Sequence, residues 1–417
     1  MKKLCVAIPT HNRVEDVKNK LEHEIALFAG CDIDVHIFDS STNEDTEKLV
    51  GSFRDAGYDN LFFHQYSDGP SSNEKVYRIF EWAAGTDYEY IWMIHDHTIC
   101  NEDAVEYLMR ALDQKADFLL LNMQAGGYGT ERFENLDSFL LEGAWRLNSF
   151  GASVVRNKTF LMGIDWEKMR RIYGGNRTLN YSHIGLYFER AAELQTPYIM
   201  QVYFDRKDFL DFNRAKKIQW EADTLRICLE CWGEVISRLP KSYHCKLETL
   251  RSQDRWFLSK YSLLGYRKKG FYDLGKFMRY RKWLRIIYPE DLHRDFWISV
   301  LPYRMGMCCF CGKLIKNLRR ARKNGDQIYI FGAGRHAIEC AGFLQEINED
   351  FDGFIVSDRS GNPDELLGHE VWEVKKVLPG KNSFVLLAIL TSGVESVKKT
   401  LREMSGKDTQ IEMLEMS

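Results

Sequence analysis

The sequence predicts an α/β protein: a doubly wound sheet, then a basic helical segment, then a second, smaller α/β unit. Three observations predict it. Short apolar runs alternate with helical periodicity through roughly the first hundred residues. From about residue 206 to 324 strand signals fade, and Lys and Arg mix with aromatic residues. At Gln327 the strand–turn–helix pattern resumes. The expected segments are 1–205, 206–325 and 326–417.

LCVAIPT (4–10) is a strand ended by Pro-Thr-His-Asn. VEDVKNKLEHEIALFAG (14–30) has helical periodicity and a Gly stop. DVHIFDSS (34–41) is a strand, and Thr42 to Gly57 a helix with Ser or Thr available as N-cap. NLFFHQY (60–66) is a strand, SSNEKVYRIFEWAAG (71–85) a helix and YEYIWMIHD (88–96) a fourth strand. ADFLLLNM (116–123) and TPYIMQVYF (196–204) read as strands, and SFGASVVRNKTF (149–160) as a strand and turn. Gly126 to Gly143, rich in Gly and polar residues, reads as a mobile loop. Such alternation implies a parallel sheet, and ligands in such sheets bind at the carboxyl ends of the strands. Those ends are Pro9–Arg13, Asp39–Ser41, Tyr66–Pro70 and His95–Thr98, and each is polar.

The chain of 417 residues is 45% hydrophobic, enough for two or three domains. Its net charge of −3 says little about partners, but the distribution says more. Residues 251–325 hold 19 Lys/Arg against 5 Asp/Glu, between two acidic flanks. Ten Cys scattered through apolar runs, with no signal-peptide stretch at the N-terminus, are expected to be reduced thiols of a cytoplasmic protein. No window is apolar enough for a spanning helix. Cys228 and Cys231 have CxxC spacing but sit in what reads as one amphipathic helix, so a zinc site is not expected.

The motifs VAIPTHNR (6–13), VHIFDSSTNEDT (35–46), DGPSSNEKVYRIFEWA (68–83), YEYIWMIHDHTI (88–99) and SFGASVVRN (149–157) occur in an order and spacing that resemble the family 2 glycosyltransferases of the GT-A fold, over roughly residues 1–205. The resemblance implies a nucleotide-sugar site built from Pro9, Thr10, Arg13, Asp39, Ser41, Lys75 and Asp96. Asp39 can accept from a base N–H or a ribose hydroxyl, and Arg13 and Lys75 can meet a base or the diphosphate. In the family the fourth strand ends in Asp-x-Asp, which holds a divalent cation, Mn or Mg, against the two phosphates. Here Asp96 takes the first acidic place and Thr98 the last. Three readings stay open. His97 or His95 replaces the missing carboxylate as a metal ligand; or Asp96 meets sugar hydroxyls and basic side chains carry the diphosphate; or the site is dead. For the catalytic base, Ser182-His183 stands where the family has Glu-Asp, with Arg190 following. His183 has the chemistry for proton abstraction, with Asp165 and Glu189 as fallback bases, and Trp145 could stack on a sugar face.

YSLLGYRKKGFYDLGKFMRYRKWLRIIYP (261–289) and LPYRMGMCCFCGKLIKNLRRARK (301–323) interleave cations with aromatic and aliphatic residues, a composition suited to an anionic membrane surface or a lipid-linked acceptor. No nucleic-acid-binding module is recognisable. Gly332-Ala-Gly334-Arg-His-Ala337 follows a strand (IYIF) and opens a helix, with Asp358 near the end of FDGFIVSD (351–358), and SFVLLAIL (383–390) is a third strand. This part resembles the small Rossmann-like domains attached to some sugar-transferring enzymes. At roughly 90 residues it is short for a dinucleotide domain with its own substrate site, so a nucleotide-binding relic or interaction module is expected rather than NAD(P) chemistry. The expectation is transfer of a sugar from a UDP-linked donor, with inversion, to a glycan or lipid-linked acceptor in surface-polysaccharide synthesis, in the cytoplasm at the inner face of the membrane. The alternatives are an NAD(P)-binding sugar oxidoreductase or bifunctional enzyme, and a silent nucleotide-sugar-binding protein. Oligomeric state is not legible.

Overall fold

The computed structural model describes residues 2–417 apart from 212–220, 360–361, 380–381, 389–393, 406–408 and 414–417. The chain divides into two compact units where three segments were expected. Met1–Asn213 with Ile227–Gln253 form the first, and Arg214–Arg226 with Asp254–Ser417 the second. Residues 227–253 were expected in the basic helical segment; they join the first unit through bonds such as Tyr243 Oη to the Phe188 carbonyl (2.8 Å).

The first unit runs β1 (Leu4–Thr10), α1 (Val14–Gly30), β2 (Asp34–Asp39), α2 (Asp45–Asp55), β3 (Leu61–Gln65), α3 (Ser72–Ala84), β4 (Tyr90–Met93), β5 (Thr98–Cys100), α4 (Glu102–Leu112), β6 (Phe118–Arg132), α5 (Leu136–Gly143), β7 (Ser153–Arg156), α6 (Trp166–Tyr173), α7 (Ser182–Leu194), β8 (Ile199–Asp205), β9 (Phe209–Asp211), α8 (Trp232–Arg238) and α9 (Lys246–Arg251). Seven strands form its sheet in the order β3-β2-β1-β4-β7-β6-β8. The pairs β1–β2, β2–β3 and β1–β4 are parallel, as the alternation predicted. β7, which lies beyond the alternating stretch, is antiparallel to both β4 and β6. Strand direction is set by pairing partners distant in sequence, and periodicity does not encode it.

Alternate residues of β1 explain its two buried faces. Leu4, Val6 and Ile8 join a core with Val17, Leu21 and Ile25 of α1 and Val105 and Leu108 of α4. On another part of the sheet, Phe118 of β6 meets Tyr187 of α7, which also touches Phe80 of α3. The segment 126–143 is not a loop. Gly127, at φ 157°, takes a backbone that suits glycine, and the register then returns along β8, with Gly129 opposite Tyr203 and Arg132 opposite Met200. α5 follows, started by a capping box between Asn135 and Ser138.

The second unit runs α10 (Lys260–Lys269), α11 (Leu274–Ile287), α12 (Leu292–Val300), α13 (Tyr303–Lys323), β10 (Gln327–Phe331), α14 (Arg335–Glu346), β11 (Gly353–Val356), β12 (Glu365–Leu366), β13 (His369–Glu373), α15 (Val374–Val377), β14 (Ser383–Leu387), α16 (Val394–Met404) and β15 (Gln410–Met413). Its sheet has the order β12-β13-β11-β10-β14-β15, parallel except for β12. The last two residues of the predicted strand 383–390 lie outside the described residues. All ten cysteines are free, and no described helix is long and apolar enough to cross a membrane.

Candidate active site

β1 lies between β2 and β4, so the chain leaves its carboxyl end toward both sides of the sheet. Crevices form at such reversals. Three side chains stand there, one per strand end: Thr10, Asp39 and Asp96.

Asp96 is buried, and its carboxylate is surrounded by donors. Thr10 Oγ1 donates to Oδ2 (2.9 Å), Arg13 Nη1 donates to Oδ1 (3.3 Å), and His97 Nδ1 lies 2.9 Å from Oδ1. Burial alone would raise this carboxyl. The His97 hydrogen bond and the Arg13 charge outweigh it and hold the group below its usual range. His95 stacks on His97 with centroids 4.6 Å apart, and desolvation keeps its imidazole far below the ordinary value, hence neutral.

Asp39 is fully buried at the end of β2. Its Oδ1 accepts from Ser41 N (2.8 Å) and Ser41 Oγ (2.5 Å), while Oδ2 has no hydrogen-bond partner. A buried carboxylate oxygen without a donor costs free energy unless something else supplies one. Ser41 Oγ in turn accepts from Asn12 N (2.7 Å). Lys75 was expected to reach toward a diphosphate. It is buried instead, donating to the Thr10 carbonyl (2.6 Å) and Ser40 Oγ (2.5 Å), and so ties β1 to β2. Burial pulls its ammonium down to about 8 against the opposing pull of Asp39 and Asp96. Pro9 pairs with Phe38 in the β1–β2 register.

The opposite wall comes from residues 147–153 and α7. Trp92 Nε1 donates to the Gly151 carbonyl (2.9 Å), drawing this loop onto β4. Gly151 has φ 101°, and a Cβ there would sit 3.0 Å from Ile94 Cγ1, so both backbone and space demand glycine. Phe150 lies 5.1 Å from His95 on one side and 4.8 Å from His183 on the other. His183 Nε2 is 2.7 Å from the Leu147 carbonyl, so Nε2 carries the proton and the lone pair is on Nδ1, which is buried without a partner. Burial lowers this imidazole to about 4, against the raising effect of the Leu147 bond.

The fallback bases are engaged elsewhere. Asp165 caps α6 through Lys168 N (2.9 Å), and Glu189 accepts from Tyr173 Oη (2.8 Å) and pairs with Lys168 (2.8 Å). Arg190 donates to the carbonyls of Phe160 (2.8 Å) and Met162 (2.6 Å), bracing a backbone turn. Trp145 packs edge-on against Trp232 at 5.2 Å.

Sequence reasoning missed a second buried layer. Lys20 and Glu24 of α1 form an ion pair at 2.6 Å, each side chain only 1% exposed. Lys20 also donates to the Thr98 carbonyl, and Glu24 Oε1 accepts from Cys100 N (2.5 Å). The pair therefore holds β5, the strand that directly follows Asp96-His97. Its i, i+4 spacing looks like an ordinary surface pair, and only the apolar residues flanking it hinted otherwise.

A resident divalent cation fits this donor set poorly. Among the described residues no group of three or more His, Cys, Asp or Glu could hold one. Both Asp96 oxygens already accept protein donors, one of them a guanidinium, and His97 turns its Nδ1 to Asp96 rather than standing beside it as a second ligand.

In the second unit Gly332 (φ 119°) directly follows β10, and its N–H donates to Ile355 O (2.8 Å); Gly334 precedes α14. Asp358 lies just beyond β11, its carbonyl accepting from Asn362 Nδ2 (2.9 Å).

Several solved structures are similar. S. aureus TarS 1-349 in complex with UDP-GlcNAc has a TM-score of 0.44 at 14% identity, covering 78% of this chain and 93% of that one. The mannosyltransferase PcManGT from Pyrobaculum calidifontis, in complex with GDP-Man and Mn2+, has 0.38 at 11%, covering 71% and 85%. Glucosyl-3-phosphoglycerate synthase from Mycobacterium tuberculosis, in complex with Mn2+, UDP and phosphoglyceric acid, has 0.37 at 13%, covering 58% and 80%. No curated protein matches. Residues 5–185 match the family model described as Glycosyl transferase family 2. That segment is a family 2 glycosyltransferase domain, and the chain is a glycosyltransferase.

Proposed function

We propose that the enzyme transfers a sugar from a UDP-linked donor to a hydroxyl of a glycan or lipid-linked acceptor, with inversion, in the cytoplasm and in the service of surface-polysaccharide synthesis. The observation that carries the donor reading is the partnerless Oδ2 of the fully buried Asp39, at the crevice beside β1. A uracil N–H or ribose hydroxyl supplies the donor this oxygen lacks. Pro9, Thr10 and Ser41 shape the same strand ends. Arg13, half-buried beside Asp96, offers its remaining N–H groups to the diphosphate.

Transfer then runs as a single displacement. The acceptor oxygen attacks the anomeric carbon as the bond to the leaving phosphate oxygen breaks, and the electron pair leaves with the diphosphate. A base takes the acceptor proton. His183 is the proposed base, supported by its neutral state and by the unpartnered lone pair on Nδ1. Asp96 is proposed to orient sugar hydroxyls. Because the donor set fits a cation poorly, no step is assigned to one.

Titration calorimetry with UDP tests the donor reading. Asp39→Asn should weaken UDP binding about 10- to 100-fold, the value of one charge-assisted hydrogen bond. NAD binding with no UDP binding would replace this reading by the oxidoreductase one. A donor-hydrolysis screen over common nucleotide sugars, with His183→Ala as control, separates an enzyme from a silent binder.

A further inference from the structure

We propose that α11 and α12 form a docking surface for an anionic lipid bilayer. Ten large apolar side chains stand exposed among the described residues, and five of them, Leu274, Met278, Trp297, Val300 and Met305, fall in the short stretch from α11 to the start of α13. Exposed apolar groups concentrated in this way mark interaction surfaces.

The helical geometry sharpens this. α11 buries Phe277, Tyr280, Trp283, Leu284 and Ile287 on one side. At 100° per residue, Leu274, Met278, Arg281, Lys282 and Arg285 share the opposite, outward side. The outward stripe is therefore apolar at its start and cationic at its end. Arg281, Lys282 and Arg285 have no ion-pair partner among the described residues, and with Ile286 they line an open groove of about 490 Å³. α11 itself holds no acidic residue. The Phe277 and Phe296 rings meet at 5.5 Å, so Met278 and Trp297 are the next residues along two packed helices.

Charge and apolarity together select the occupant. A second copy meeting this patch across a two-fold axis would set cations against cations. Nucleic acid would use the cations but leave Leu274, Met278 and Val300 without a role. A bilayer interface uses both: apolar side chains and Trp297 enter the headgroup boundary while Arg and Lys meet lipid phosphates. The inference does not depend on which sugar is transferred.

The test is flotation of the full chain with vesicles of phosphatidylcholine alone and of phosphatidylcholine with phosphatidylglycerol. Binding should need the anionic lipid and fall with added salt. The triple variant Arg281→Glu, Lys282→Glu, Arg285→Glu should lower partitioning at least about 100-fold, each cation being worth several-fold at such a surface. Met278→Ser with Trp297→Ser should weaken binding at low salt with the charges intact. Far-UV circular dichroism and the melting of the full chain should be unchanged in both variants, which confirms that the second unit is folded, and UDP binding by the first unit should be unchanged as well. Anionic-vesicle binding that survives the charge reversal overturns the proposal. So do a concentration-dependent dimer that only the reversal dissolves, and retention of RNA in preference to vesicles.

Discussion

The two sheets of this chain share one topological feature and furnish it differently. In the first, β1 lies between β2 and β4; in the second, β10 lies between β11 and β14. Both central strands end in a turn at which a crevice is expected. At β1 three strand ends contribute buried polar side chains, Thr10, Asp39 and Asp96, and a buried lysine ties two of them together. At β10 the turn is Gly-Ala-Gly and the contribution is mainly backbone. Topology offers the place, and side chains unable to satisfy each other decide whether it recognises a ligand. The orphaned Asp39 oxygen is the clearest mark of that difference.

Breaking the support beneath the first crevice should have the largest effect. Glu24→Leu alone strands the Lys20 ammonium in a dry core and should cost about 3–5 kcal/mol in urea unfolding. Glu24→Leu with Lys20→Met should recover most of that loss, because two apolar groups replace two charges. A single variant losing under about 1 kcal/mol would show that water reaches the pair.

This pair also marks where sequence reading stopped. β1 to β4 and α1 to α3 were legible to within a few residues, because each strand is an apolar run between polar turns and each helix has a recognisable start or stop. Asp39 and Asp96 were legible for the same reason: a carboxylate at the end of a buried strand stands out. Burial of Lys20, Glu24 and Lys75 was not legible, since a helix shows charge at i and i+4 whether it faces water or a neighbour. His183 was found by position, but its enclosure under Phe150 depends on a loop drawn in by Trp92, a contact across about sixty residues. The strand continuing to Arg132 was hidden because glycines that permit a return look like glycines of a loop.

A buried carboxylate in the second unit should give the next effect. Asp295 is 1% exposed and lies 2.8 Å from Arg294. Burial pushes it up to about 7, with Arg294 opposing only in part. The unfolded chain ionises near 3.8, whereas the folded one keeps its proton to about 7. The associated stability is therefore full below about pH 4 and lost as pH rises through about 7. Melting of the full chain should rise between about pH 8 and pH 5, and Asp295→Asn should flatten that rise. An identical slope in the variant would mean that Arg294 keeps Asp295 ionised throughout.

Within the first crevice, Thr10→Val removes one donor from Asp96 while keeping the shape. Turnover should fall about tenfold, and Thr10→Ser should restore it, because the serine hydroxyl can donate from the same place. Failure of serine to rescue would show that the methyl packing of Thr10 matters more than its bond.

The smallest expected effect is the one that tests the comparison itself. Asp358 stands beyond β11 much as Asp39 ends β2, each on the strand neighbouring the central one. If the acidic residue at a strand end were sufficient, Asp358→Ala and Asp39→Asn would disturb nucleotide binding alike. Asp39 is fully enclosed with an oxygen left over, the oxygen that the proposed reading gives to the nucleotide. Asp358 is exposed to water, which can satisfy it without a ligand. UDP affinity measured by calorimetry should therefore stay within about twofold in Asp358→Ala, a change below about 0.4 kcal/mol. A loss comparable to that of Asp39→Asn would mean that the second crevice binds nucleotide as well, and that backbone alone can furnish such a site.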